Sequence, residues 1–155
     1  MIKSLILLIA VVLFCTGVYF LWKIFFFKNT PQAASSMVTI GTHTYPVEIA
    51  STFEQKVHGL AGRDSLTTGH GMLFPFGSKS RLSFTMKGMR FPLDIIWIAD
   101  GKIVDVSRNL APDTGLVAMA YRPVEPADTV LELAAGTADR DGLKIGDTIT
   151  IEYHG

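Results

Sequence analysis

Ser83–Ile98 reads SFTMKGMRFPLDIIWI, and the chain continues as Ala99-Asp100-Gly101-Lys102 and then Ile103-Val104-Asp105-Val106. Leu93–Ala99 and Lys102–Val106 have strand character, and Asp100-Gly101 between them is a strong two-residue hairpin signal. In an extended chain Pro92, Asp94, Ile96 and Ile98 share one face, and Leu93, Ile95 and Trp97 share the other. Both faces are apolar, so the strand is expected to be covered on both sides. Asp94 is then a carboxylate in an apolar layer. Left alone it would cost several kcal/mol, roughly the penalty for a desolvated ion. It therefore needs backbone N–H groups or a base, and Arg63, Arg81, Lys87, Arg90 and Arg108 are the candidate bases.

Working outward, the hairpin sits among other short strands. Val38 and Ile40 alternate, Gly41-Thr42-His43 is a turn, and Thr44–Ala50 alternates again, predicting an opening hairpin. Ser51 to Glu54 fits a capping box ahead of a short helix ending near His58. Met72–Phe76 is a short strand in which Pro75 implies an edge or a break. Arg81–Met86 is a strand ending in a bend at Lys87-Gly88-Met89. Leu116–Tyr121 and Val130–Leu133 are strands, Thr137–Asp141 is one helical turn capped by Thr137, and Thr148–Tyr153 is the last strand. Many short strands with few helices predict a mainly β (α+β) domain: a small antiparallel barrel-like sheet with short helices.

The N-terminus has a different character. Ser4–Trp22 carries no charge and is rich in Leu, Ile, Val and Phe. A helix of about 20 such residues spans a hydrocarbon core. A cleaved signal peptide would need a small-residue cleavage site, and Gln32-Ala33-Ala34 is a poor one, far downstream. A lipoprotein signal would need small residues where Leu13-Phe14 precede Cys15. Residues 1–28 are thus expected to be an uncleaved transmembrane anchor contacting the bilayer through residues 4–27. Residues 29–36 (NTPQAASS) form a flexible linker, and 37–155 form one globular domain. Lys3 on one side and Lys23 and Lys28 on the other nearly balance. The domain is assigned to the exported side because a single N-terminal span commonly acts as an export signal.

Charge excludes some partners. Three of the 14 bases (Lys3, Lys23, Lys28) and none of the 14 acids precede Asn29, so the remainder is acidic by three charges. That is not the footprint of a nucleic-acid binder. The single cysteine, Cys15, lies in the apolar run, so the globular part forms no disulfide.

The order of several pieces resembles the domain-of-unknown-function family 192. They are Val47-Glu48-Ile49-Ala50, Gly59-Leu60 with Arg63, Gly71-Met72-Leu73-Phe74 with Phe76, Phe84 and Met86-Lys87, Pro92-Leu93-Asp94-Ile95, Gly101-Lys102-Ile103-Val104, Val130-Leu131-Glu132-Leu133 with Gly136, and Gly146-Asp147. The resemblance covers Val47 to Tyr153. It implies a compact β-rich barrel with small helices, often behind a signal peptide or anchor, and it implies no reaction. This chain departs from the family's pattern at Thr85, where a tryptophan is usual, at Gly88-Met89, where an Asn-Thr pair is usual, and at Ala61, where a methionine is usual.

No catalytic set is identifiable. His43, His58, His70 and His154 lack zinc-type spacing, and no Cys-x-x-Cys or His-Glu-x-x-His occurs, so neither a metal site nor a cofactor is expected. No serine lies in Gly-x-Ser-x-Gly. Gly71–Ser80 only faintly resembles a phosphate loop, with the wrong spacing. The candidate ligand-binding residues are Arg63, Lys87, Arg90 and Asp94. Lys87 and Arg90 flank a bend that could present both to an anion. Three functions follow: a non-enzymatic binding or accessory module in the cell envelope, for an envelope protein or a small-molecule ligand; a metal-independent hydrolase or transferase using Asp94 with His70 or Lys87; and copper(I) handling by Met72, Met86 and Met89 with His70. Strand geometry counts against the last, because residues three apart face opposite ways.

Overall fold

The computed structural model describes residues 36–154. The expected anchor at 1–28 and residues 29–35 of the expected linker lie outside the described residues, while Ser36, the last residue of that linker, is buried and already in the first strand. Among the described residues no helix is long and apolar enough to cross a membrane.

The strands are β1 (Ser36–Ile40), β2 (His43–Ile49), β3 (Gly71–Ser80), β4 (Phe84–Thr85), β5 (Leu93–Ala99), β6 (Lys102–Leu110), β7 (Ala120–Tyr121), β8 (Ala127–Ala134) and β9 (Ile149–Glu152), with short helices α1 (Phe53–His58) and α2 (Thr137–Arg140). Seven strands form one sheet in the order β6-β5-β8-β3-β2-β1-β9, and β4 pairs with β7 in a separate ribbon. The sheet curls into a half-barrel. Its two outer strands meet at one end, where Ile103 N–H donates to Asp147 C=O (3.0 Å), Gly146 N–H to Ile103 C=O (2.8 Å) and Ile149 N–H to Gly101 C=O (2.8 Å). Edge groups that would otherwise be open are satisfied there.

Every pairing in this sheet is antiparallel except β2 with β3, which is parallel through Val47↔Gly71 to Ile49↔Leu73. The expectation of an antiparallel sheet needs that one correction. Parallel neighbours need a crossover, and crossovers carry helices onto a sheet face. Here the crossover is Ala50–His70, and it carries α1.

Alternation along the strands builds two cores. Val38, Ile40, Tyr45, Val47, Leu73, Ile96, Ile98, Ile103, Leu131, Leu133 and Ile149 fill the inside of the curl, with a contribution from each of the seven strands. Met72, Phe74, Leu93, Ile95, Trp97 and Val130 face outward. They are covered by Ala50, Leu60, Leu82 and Met86 from the crossover and the β3–β5 connection. All of Leu93–Ala99 is buried, as two-sided apolarity predicts.

Other expectations shift. The capping box before α1 is Thr52 with Gln55, one residue on from Ser51 and Glu54; Thr52 Oγ1 accepts from Gln55 N–H, and Gln55 Oε1 accepts from Thr52 N–H. β3 is a long inner strand, and Pro75 is tolerated because β2 pairs only as far as Leu73. Its pairing with β8 shifts register between Pro75 and Ser80. Of Arg81–Met86 and Leu116–Tyr121 only two residues each become strand, because they pair only with each other, through Phe84↔Tyr121 and Thr85↔Ala120. α2 is capped by Gly136 at φ +81°, not by the Thr137 side chain.

Candidate functional site

Asp94 is fully buried and faces the inner core. Its Oδ2 accepts from Ala138 N–H and its Oδ1 from Asn109 N–H, both at 2.8 Å. Gly136 has no side chain with which to cap α2. Asp94, 44 residues away in sequence, does so instead. It also holds Asn109 in the left-handed region at φ +52°. Its partners are backbone amides, one of the two alternatives its sequence context allowed, and both oxygens are engaged.

Three of the five candidate bases, Arg63, Lys87 and Arg90, lie on neighbouring segments, since Gly62 N–H donates to Gly88 C=O at 2.9 Å. They do not converge on Asp94. Arg63 makes a bidentate pair with Glu48, Nη1–Oε1 at 2.6 Å and Nη2–Oε2 at 2.8 Å. That pairing holds the Glu48 carboxyl below its usual range and the guanidinium above its own. Arg90 pairs with Asp64 at the exposed surface. Lys87 Nζ donates to Leu116 C=O at 3.3 Å. His70 is exposed, and Met72 and Met86 are buried in the outer core.

A cleft of about 510 Å³ opens on the outer face beneath α1. Four phenylalanines line it: Phe53 from α1, Phe74 and Phe76 from β3, and Phe84 from β4. Phe84 is their hub, meeting Phe74, Phe76 and Trp97 edge-to-face at centroid separations of 5.1, 6.2 and 5.6 Å. Such pairs contribute about 0.5–1.5 kcal/mol each beyond their buried area. Lys56 and Lys87 also line the cleft, and Lys56 Nζ stands 4.8 Å from the centroid of the Phe76 ring. Thr85, Met89 and Ala61, at or within the positions where the chain departs from its family's pattern, all border it. Of the four candidate ligand residues only Lys87 does.

At the buried end lies Glu132, which is not among the candidate residues of the sequence. It sits on β8 opposite Met72 of β3 and Ile95 of β5, and it is 5% exposed. Its Oε2 is buried without a hydrogen-bond partner. Removal from water pushes its carboxyl up to about 8, so near neutral pH it is mostly protonated. A signal for it existed. Alternation in Val130-Leu131-Glu132-Leu133 puts Glu132 on an apolar face by the same logic that singled out Asp94.

The α1 helix has no buried residue, and Phe53 and Val57, one turn apart, are 80% and 70% exposed over the cleft. The arrangement is an aromatic slot with two lysines among its lining residues and an acid O–H inside.

A family model for DUF192, described as an uncharacterized ACR, matches residues 36–151. Two solved structures share the fold. One is a protein of unknown function from Novosphingobium aromaticivorans DSM 12444, 30% identical, with a TM-score of 0.68, covering 74% of this chain and 83% of that chain. Another, from Sinorhizobium meliloti 1021, is provisionally described as a transcription regulator; it is 34% identical, with a TM-score of 0.67, covering 76% of this chain and 95% of that chain. No curated protein matches. The family match over most of the chain, with its β-rich half-barrel, makes this protein a member of the DUF192 family.

Proposed function

We propose that this domain is a binding module that holds a small, largely apolar ligand in the cleft beneath α1. One observation carries the reading: a protonatable carboxyl with an unpartnered oxygen at the buried end of an aromatic slot. Buried polar atoms are nearly always hydrogen-bonded, and an orphan costs about 1–3 kcal/mol. A group retained at that cost is a ready contact for something that enters. The cleft volume lies within the usual range for small-molecule sites, roughly 300–1,000 Å³. Phe53 and Val57 supply apolar surface that a ligand would cover, and Lys87 stands among the residues it would touch. The engaged oxygens of Asp94 favour binding over a hydrolase or transferase built on that residue.

The anchor belongs to the same proposal. Residues 4–27 would hold the module in a bilayer with the domain on the exported side, as an accessory in the cell envelope. Support comes from the uncharged Ser4–Trp22 run. Resistance of the full chain to alkaline extraction from membranes is expected, and release with the soluble fraction would refute it.

The cleft is tested by methionine-methyl NMR on the full chain. Met89 lines the cleft and Met37 lies on β1, away from it. Titration with acetophenone, benzylamine and benzoate should move the Met89 methyl saturably for at least one compound and leave Met37 in place. No saturable movement with any of the three would remove the cleft as a ligand site.

A further inference from the structure

We propose that the cleft selects ligands by an uncharged hydrogen-bond acceptor, a carbonyl or ether oxygen, which accepts a hydrogen bond from the Glu132 carboxyl O–H while the ligand's apolar body lies against Phe76 and Phe84. This rests on the cleft being a ligand site, and it names the class of ligand.

The argument is one of elimination by charge. Glu132 has only Met72 and Ile95 beside it on the neighbouring strands. The other ionisable groups lining the cleft are Lys56 and His58 on α1 and Lys87 after β4. None of them perturbs the carboxyl; burial alone sets its proton affinity. It is therefore a hydrogen-bond donor, not a counter-ion. A cationic ligand would share the cleft with Lys56 and Lys87 and would either ionise Glu132 in an apolar layer or leave its own charge uncompensated. An anionic ligand at Glu132 would be stripped of water in the same layer, where neither Lys56 nor Lys87 is close enough to act on the carboxyl beside it. A neutral acceptor adds no buried charge and gives the acid its missing partner. The edge-to-face packing of Phe76 on Phe84 gives the ligand's aromatic or aliphatic body a preformed surface to meet.

The ranking of the three compounds decides the class. Acetophenone carries the acceptor, benzylamine the cation and benzoate the anion on the same ring. At about pH 6.5 acetophenone should bind best, and its Kd should rise at least about tenfold by pH 9.5 as Glu132 loses its proton. Glu132→Gln keeps a donor without a titrating proton, so it should retain acetophenone binding and lose the pH dependence. Glu132→Met fills the same volume without a donor, and its Kd should rise about tenfold or more at pH 6.5. Tighter binding of benzylamine or benzoate would overturn the ligand class while leaving the cleft as a site. Unchanged acetophenone binding by Glu132→Met, or its loss in Glu132→Gln with the thermal midpoint retained, would overturn the role of Glu132. Failure of all three compounds to move Met89 would instead strike the cleft itself.

Discussion

Asp94 and Glu132 lie on adjacent strands one step apart in register: Asp94 stands opposite Leu133, and Ile95 stands opposite Glu132. Leu133 belongs to the inner core and Ile95 to the outer one, so the two carboxyls point through opposite faces of the sheet. Both are buried. Asp94 accepts two backbone N–H groups, whereas Glu132 has an oxygen with none. The pair separates a structural acid from an available one by their partners alone.

Asp94→Asn should destabilise the domain without altering the cleft. The amide keeps one acceptor and turns its NH₂ toward an N–H that then has no partner. The expected loss is about 2–4 kcal/mol, from a charge-assisted bond lost and a buried amide stranded. Urea denaturation should show it, while Met89 still responds to acetophenone. A loss below about 0.5 kcal/mol would mean that α2 and Asn109 do not depend on Asp94.

Glu132 should make stability fall as pH rises. Its folded pKa of about 8 exceeds the value of 4.5 expected in the unfolded chain. Between those values the unfolded state has released a proton that the folded state retains. The stability is therefore full below about pH 4.5, declines through the interval and levels off above about pH 8, a change of up to the order of 5 kcal/mol. Glu132→Gln should remove that slope. Glu132→Met should raise stability near neutral pH by about 2–3 kcal/mol, since a buried acid is replaced by an apolar group of similar volume. Parallel pH profiles for wild type and Glu132→Gln would contradict the assignment.

Gly71 tests how tightly β3 is held against β8. A Cβ there would meet Glu132 C=O at 2.8 Å, Leu133 Cδ2 at 2.9 Å and Leu131 Cδ1 at 3.0 Å. Gly71→Ala must push backbone apart, with an expected loss of about 1–3 kcal/mol. Because the displaced carbonyl is that of Glu132, acetophenone binding should weaken as well. A variant as stable as wild type would show that the strands can separate freely.

The Arg63–Glu48 pair ties the segment after α1 to β2. Both side chains are more than a third exposed, so solvent screens them. Glu48→Gln should cost about 0.5–1 kcal/mol near neutral pH, and less in high salt. Glu48 has a folded pKa below 4.5, so the contribution is present above that value and is lost as pH falls through the lowered one. Thermal midpoints measured at low and high salt check both signs; a salt-independent loss would mean packing, not charge.

Local chemistry made much of the fold legible. Asp100-Gly101 and Gly41-Thr42 adopt the left-handed geometry hairpins need at Gly41, Asp100 and Gly101, and the two-sided apolarity of Leu93–Ala99 correctly announced burial. Pairing partners were less accessible. Ala127–Ala134 extends beyond Val130–Leu133 because β3 and β5 flank it, and no local pattern encodes a neighbour. The parallel step from β2 to β3 depends on the path of Ala50–His70 over the sheet, which is a property of the folded chain.

By itself the sequence determined the strands' alternation, the buried place of Asp94, the acidic balance after Asn29 and the family to which the chain belongs. Tertiary structure alone decided which buried carboxyl is spoken for. Hydrogen-bond partners are supplied across 15 and 44 residues for Asp94 and withheld from Glu132. The free energy of a buried charge depends on what surrounds it in space, and sequence distance carries no record of that.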